Sequence, residues 1–187
     1  MTRRIDAHEI LTVPNALSVL RIALIAPIVL FYTGGRSMAS ATLLVLSGLT
    51  DIADGWIARR WNVVSNVGKV LDPIADKLTL AAMLTMLLTS YPAMMLPLII
   101  LVIRETMMAC TGIACVACTK VVRSARWHGK MSTLLLYGTG FAHMIWQEIP
   151  EQVSNSTIAI CALAQLISLV LYIIDNIRCI RRIKGGI

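Results

Sequence analysis

The sequence predicts an all-α fold, an integral membrane bundle of six transmembrane helices with a short N-terminal surface helix. Three observations predict it. Hydrophobic residues make up 57% of the 187 residues and charged residues only 14%, against roughly 25% charged in a soluble domain. With a mean hydropathy of +0.76, too few polar side chains remain to cover a globule, which excludes both an ordinary soluble enzyme and a disordered chain. The apolar residues also gather in runs that approach the length a bilayer core requires, about 17–25 residues. Finally, the basic residues fall on alternate connections. The 17 Lys and Arg against 10 Asp and Glu leave a net charge of +7, and in so apolar a chain that excess points to anionic membrane lipid and not to nucleic acid. The five cysteines have no spacing that reads as a disulfide framework. The length suits one domain, taken as 1–187.

The elements follow in order. Residues 1–13 are expected to form a surface segment: Arg3, Arg4, Asp6 and Glu9 mix the charges, no cleavable signal is expected, and a short helix on the membrane surface fits it. The first apolar run, Ala16 to Thr33, is interrupted only by Arg21 and closed by Gly34-Gly35. The second begins near Met38 and carries charge, Asp51 and Asp54, into its last turns. Arg60 to Lys69 reads as a connection. Leu78 to Ile103 holds no charge, and Ser90-Tyr91-Pro92 breaks it into a third and a fourth helix. The fourth continues past Arg104-Glu105 toward Thr119. Met131 to Gln147 makes the fifth and Gln152 to Ile174 the sixth.

Topology follows from charge. Arg3, Arg4, Arg59, Arg60, Lys69, Lys120, Arg123, Arg126, Lys130, Arg178, Arg181, Arg182 and Lys184 share one side of a six-helix arrangement, and the other side has only Arg36. Basic residues stay cytosolic, so both termini and the connection after the second helix are expected in the cytosol, the chain crossing a plasma (inner) membrane several times.

Asp51, Asp54, Asp72 and Asp76 lie within one segment. The first two are three residues apart and the last two four apart, so each pair shares a face of its helix. Two antiparallel helices would gather four carboxylates at the membrane border. Unpaired, these would repel and carry a heavy desolvation cost. Hard divalent cations, Mg²⁺ or Mn²⁺, are the natural compensation, and two of them would clamp a diphosphate. The plainer alternative is a structural network with Arg59, Arg60, Lys69 and Lys77. It leaves the small residues Gly55, Ala58 and Gly68 unexplained, since these permit close approach of a bulky anion or another helix.

The run Asp51-x-x-Asp54-Gly55-x-x-Ala58-Arg59, then Gly68-x-x-x-Asp72-x-x-x-Asp76, resembles at every fixed position the signature of the CDP-alcohol phosphatidyltransferase family. Val13-Pro14-Asn15-Ala16-Leu17-Ser18 with Arg21-Ile22 is similar to the start of the family's first helix. The resemblance implies transfer of a phosphatidyl group from CDP-diacylglycerol to an alcohol acceptor, with release of CMP, at the cytosolic membrane face. It implies that Asp51, Asp54, Asp72 and Asp76 hold two ions, Mg²⁺ or Mn²⁺, and that Asp76 also takes the acceptor's proton. Gly55, Ala58, Arg59, Ser65 and Gly68 would cradle the CDP group, with Asn15 and Ser18 closing over it. A homodimer is implied as well, and six short helices leave lateral apolar surface for one.

The acceptor falls to the second half. Arg104 interrupts an apolar helix, and Arg123, Arg126, His128 and Lys130 follow near the cytosolic face. A basic pocket suits an acceptor that carries phosphate; the same cluster would also serve as an anchor on anionic lipid. Ala58-Arg-Arg-Trp-Asn, Arg104-Glu105 and Gly129-Lys130 resemble the phosphatidylglycerophosphate synthases, whose acceptor is glycerol 3-phosphate. Gly112, Ser132 and Leu136 depart from that subgroup's pattern and leave cardiolipin synthases, which use phosphatidylglycerol, as the alternative. A divalent-cation transporter is a remote third, because its acids should lie near mid-membrane. Cys115-x-x-Cys118, His143 and Gly138-x-Gly140 are assigned to packing.

Overall fold

The structure, a computed structural model, describes residues 13–61, 68–119, 127–146 and 148–184, and within these the side chains of 13–14, 54–59, 61, 69–70, 111–119 and 176–184 are left out of the description. The surface segment 1–13 expected from the sequence thus falls almost wholly outside the described residues. Six α-helices are described: α1 (Val13–Thr33), α2 (Ser37–Trp61), α3 (Gly68–Leu87), α4 (Met95–Thr119), α5 (Trp127–Ile145) and α6 (Glu151–Lys184), with a 3₁₀ turn at Pro92–Met94. No strand occurs among the described residues. The chain groups into two compact units, Met1–Met86 and Leu87–Ile187.

In the first unit α1 and α2 form an antiparallel hairpin. Its turn follows from Gly34-Gly35: Gly35 takes φ 76°, a left-handed conformation that suits glycine. The Arg36 N–H then donates to the Phe31 carbonyl at 2.8 Å and the Gly35 N–H to that of Tyr32 at 3.0 Å, the two bonds of a Schellman cap. Along α2 the buried residues are Ser37, Ser40, Ala41, Leu44 and Ser47, a stripe at helical spacing. Most are small, which lets two apolar helices approach closely. Ser40 Oγ donates across the hairpin to the Ile28 carbonyl at 2.6 Å.

In the second unit α6 packs against both α4 and α5. Pro97, Ile100, Leu101 and Arg104 face inward from α4. From α5 the inward set is Gly129, Ser132, Leu136, Thr139, Gly140, His143 and Met144; from α6 it is Ser154, Ile158, Cys161, Ala162, Gln165 and Ser168. Each set recurs every three to four residues. At Gly129 α5 is tightly approached by its neighbour, since a Cβ there would stand 3.0 Å from the Tyr172 hydroxyl.

Buried polar residues and exposed large apolar ones are both numerous. Asn15, Ser18, Arg21, Arg104, His143 and Gln165 are buried, while Leu30, Leu134, Ile160 and Leu163 are exposed, Leu30 at 70%. Apolar side chains directed outward over polar ones directed inward are the signature of a chain whose solvent is lipid. Among the described residues three stretches are long and apolar enough to cross a bilayer: Asn15–Thr33, Pro92–Cys110 and Glu151–Asp175. The apolar part of α2, Ser37–Ala53, is shorter, because Asp51, Asp54, Arg59 and Arg60 fill its last turns, and α3 opens on Lys69, Asp72, Asp76 and Lys77. Six helices follow one another in the expected order among the described residues, and three of the expected crossings have the length and apolarity for a bilayer. Two boundaries move: α5 starts at Trp127, four residues before the expected Met131, and α6 runs on to Lys184, beyond Ile174.

Candidate active site

The aspartates of the sequence pattern lie on two helices of the first unit. Asp51 is on α2, and that helix continues unbroken through Asp54, Gly55, Ala58 and Arg59, whose side chains are outside the described set. Asp72 and Asp76 stand one turn apart in the first half of α3, which Gly68 opens, buried. Ser65 lies outside the described residues.

The first helix supplies the partners. Asn15, Ser18 and Arg21 are spaced by three along α1, so they form one stripe, and all are buried. The Ser18 hydroxyl donates to Asp72 Oδ1. One turn on, Arg21 Nη1 lies 2.5 Å from Asp51 Oδ1, with Arg21 only 2% exposed and Asp51 50% exposed. Each of these helices thus has an aspartate oriented by α1. The sequence reading weighed Arg59, Arg60, Lys69 and Lys77 as counter-ions; the ion pair described here uses Arg21. Ser18, expected to close over a CDP group, meets Asp72 on α3. The signal for Arg21 was present in the sequence: a lone arginine within an apolar run must find an acid or leave the membrane.

Among the described residues no three His, Cys, Asp or Glu side chains gather as a complete ion site; the side chain of Asp54 is not among them. The donor set itself fits a hard cation. Asp51, Asp72 and Asp76 offer carboxylate oxygens and Ser18 a hydroxyl, hard oxygen donors of the kind that suits Mg²⁺ and Mn²⁺.

In the second unit Arg104 is 3% exposed and held on α5. Nη1 donates to Ser132 Oγ at 2.6 Å, and Nη2 to Thr133 Oγ1 and to Glu105 Oε1, both at 2.9 Å. Both hydroxyls donate in turn to the Gly129 carbonyl at 3.0 Å. Arg104 Nε has no hydrogen-bond partner among the described residues. Lys130 is exposed on the same turn of α5. Arg123 and Arg126 lie outside the described residues. His128 Nδ1 lies 3.3 Å from Ser168 Oγ, with its ring edge-on to Tyr172. His143 is built into the packing: its Nδ1–H donates to the Thr139 carbonyl at 2.8 Å, so Nε2 accepts from Ser154 Oγ at 3.0 Å.

Known proteins resemble this chain along most of its length. A model of the CDP-alcohol phosphatidyltransferase family matches residues 11–176, which runs through both compact units. A Rickettsia bellii protein named CDP-diacylglycerol–glycerol-3-phosphate 3-phosphatidyltransferase is 43% identical over 95 residues, 49% of this chain and 52% of the relative. A Cereibacter sphaeroides protein of the same name is 32% identical over 169 residues, 76% and 75% of the two chains. A Streptomyces coelicolor cardiolipin synthase (CMP-forming) is 43% identical over 82 residues, 40% and 38%. The chain spans about half the length of the first relatives it matches, 52% to 56%, and three quarters of the Cereibacter one. An outward-facing apolar surface, aspartates on two successive helices, and a family match over residues 11–176 together make this membrane protein a member of the CDP-alcohol phosphatidyltransferase family.

Proposed function

We propose that the protein transfers a phosphatidyl group from CDP-diacylglycerol to glycerol 3-phosphate, giving phosphatidylglycerophosphate and CMP. The observation that carries this is the Asp51–Asp76 pattern, complete at each fixed position and borne on α2 and α3 inside the family match. The names of the Rickettsia and Cereibacter relatives support the acceptor. In this reading Asp51, Asp54, Asp72 and Asp76 hold two Mg²⁺ or Mn²⁺ ions. When bound, these supply positive charge to the diphosphate and the leaving phosphate.

The chain's own residues do the rest. Gly55, Ala58, Arg59, Ser65 and Gly68 accommodate the CDP group, with Asn15 and Ser18 beside them. Asp76 receives the proton as the acceptor oxygen bonds to the lipid-linked phosphorus. The bond from that phosphorus to the oxygen of CMP breaks, and CMP departs with the electron pair. Arg104 offers a buried guanidinium, oriented by Ser132 and Thr133, to the phosphate of the acceptor, with Lys130, Arg123 and Arg126 adding charge. The chain crosses the plasma membrane six times, with both termini and the site in the cytosol, and works as a homodimer.

The test is CMP release by purified protein in lipid nanodiscs with CDP-diacylglycerol and Mg²⁺. Release is expected with glycerol 3-phosphate, absent after chelation, and abolished in Asp72→Asn and Asp76→Asn. Full activity of either variant at saturating substrate would sink the site assignment. A second reading, a cardiolipin synthase, is favoured by the Streptomyces relative. It would be established by release with phosphatidylglycerol alone.

A further inference from the structure

Arg21 has no role in the reaction as set out above. It lies within a stretch apolar enough to cross a bilayer and is 2% exposed. A cation at such a position is expensive and marks function by default. Its guanidinium is spent on Asp51, 2.5 Å away, while Ser18 one turn earlier holds Asp72. A brace between α1 and α2 needs no charge, for the hairpin already has the Schellman turn and the Ser40 bond to Ile28. α1 itself carries no acid, so the arginine answers an acid on another helix.

We propose that Arg21 is a positioning residue of the cation site. It fixes the Asp51 carboxylate through Oδ1, so that Oδ2 meets a divalent cation already oriented, and it stays beside the site as a permanent positive charge. The inference rests on the metal reading of the four aspartates given above. Charge arithmetic supports it. Four carboxylates and two divalent cations sum to zero, and Arg21 leaves the assembly one positive charge with which to receive a diphosphate.

Two effects oppose each other when Arg21 is neutralised. Removing a cation lowers its repulsion toward the metal, and releasing Asp51 lets its carboxylate turn. Asp51 is 50% exposed, so solvent screens the repulsion, and a freed carboxylate there has water to turn into. Orientation therefore dominates. Outer contacts that orient a ligand contribute about 10–100-fold to metal affinity.

The experiment measures Mn²⁺ binding to the full-length protein in nanodiscs without nucleotide lipid, from the electron paramagnetic resonance signal of free Mn²⁺. Helicity and thermal unfolding are followed in parallel. Arg21→Gln and Arg21→Met should weaken Mn²⁺ binding about 10–100-fold with the fold kept, and Arg21→Lys should recover most of the loss. Unchanged or tighter binding in either folded neutral variant overturns the proposal. If both neutral variants fail to fold while Arg21→Lys folds, Arg21 is a brace and the proposal also fails. Wild-type protein that binds Mn²⁺ with this dependence on Arg21 but releases no CMP would overturn the transferase reading and leave this one standing.

Discussion

Arg21 and Arg104 are both buried within apolar helices, and the sequence around each gives a different kind of relief. Arg21 meets an acid on the next helix. Arg104 has its neighbour Glu105 and two hydroxyls from α5, so three of its five N–H donors are occupied. Ser132 stands where the resemblance leads one to expect lysine, and its position explains why a neutral residue is accommodated: its Oγ lies 2.6 Å from Arg104 Nη1, where an ammonium would face a guanidinium. Ser132→Ala removes an acceptor from a buried charged donor and should cost about 1–2 kcal/mol, read as a lower unfolding temperature in nanodiscs. Ser132→Thr keeps the oxygen and should lose less. An unchanged melt in Ser132→Ala would mean that the guanidinium has other support. The sequence marked Arg104 as set apart, but the partners it would find 28 and 29 residues further on were not legible from local spacing.

At the scale of helices, the α5–α6 seam shows how a boundary was missed. From the sequence the fifth helix is expected to start at Met131, with His128 and Lys130 part of a basic cluster ahead of it. In the fold the polarity of this stretch is used: the Gly129 carbonyl receives the Ser132 and Thr133 hydroxyls, and His128 sets its ring against Tyr172. The absence of a side chain at Gly129 is what lets Tyr172 close in. Gly129→Ala would place a Cβ 3.0 Å from the Tyr172 hydroxyl and 3.2 Å from Cε2. Crowding of this kind costs about 1–3 kcal/mol. The variant should melt earlier, and adding Tyr172→Phe should return part of the loss by removing the nearer contact. A double variant no better than Gly129→Ala would place the strain elsewhere. By contrast the α1–α2 turn was fully legible. Gly34-Gly35 after an apolar run is a helix stop with a mechanism, and the left-handed residue falls at Gly35.

The whole molecule is organised by its solvent. Leucines and isoleucines are exposed while serines, two arginines and a histidine are buried among apolar side chains, so hydrophobicity alone does not decide what is buried. The helices that carry the candidate site, α2 and α3, give up turns to charge. The proposed six-crossing topology, with both termini in the cytosol, places the turn at Gly34–Arg36 on the outer side. In a cysteine-free background, Arg36→Cys should react with an impermeant maleimide from outside intact cells, whereas a cysteine at Lys184 should react only after permeabilisation. The reverse pattern would invert the topology and move the aspartates to the outer face.

What the sequence determined by itself was membrane residence, the order of the six described helices, and the family. Composition, run length and an eight-position pattern are local or additive properties of a chain, and they survive without coordinates. The tertiary structure decided which cation answers which acid. Arg21 reaches Asp51 from thirty residues away, Ser18 reaches Asp72 across 54, and Arg104 is held by hydroxyls of another helix. Such pairings depend on the rotation of each helix about its axis, which is set by the packing of small residues along α2 and by the close approach at Gly129. Spacing along a single helix fixes a face; only the packed neighbours fix what that face meets.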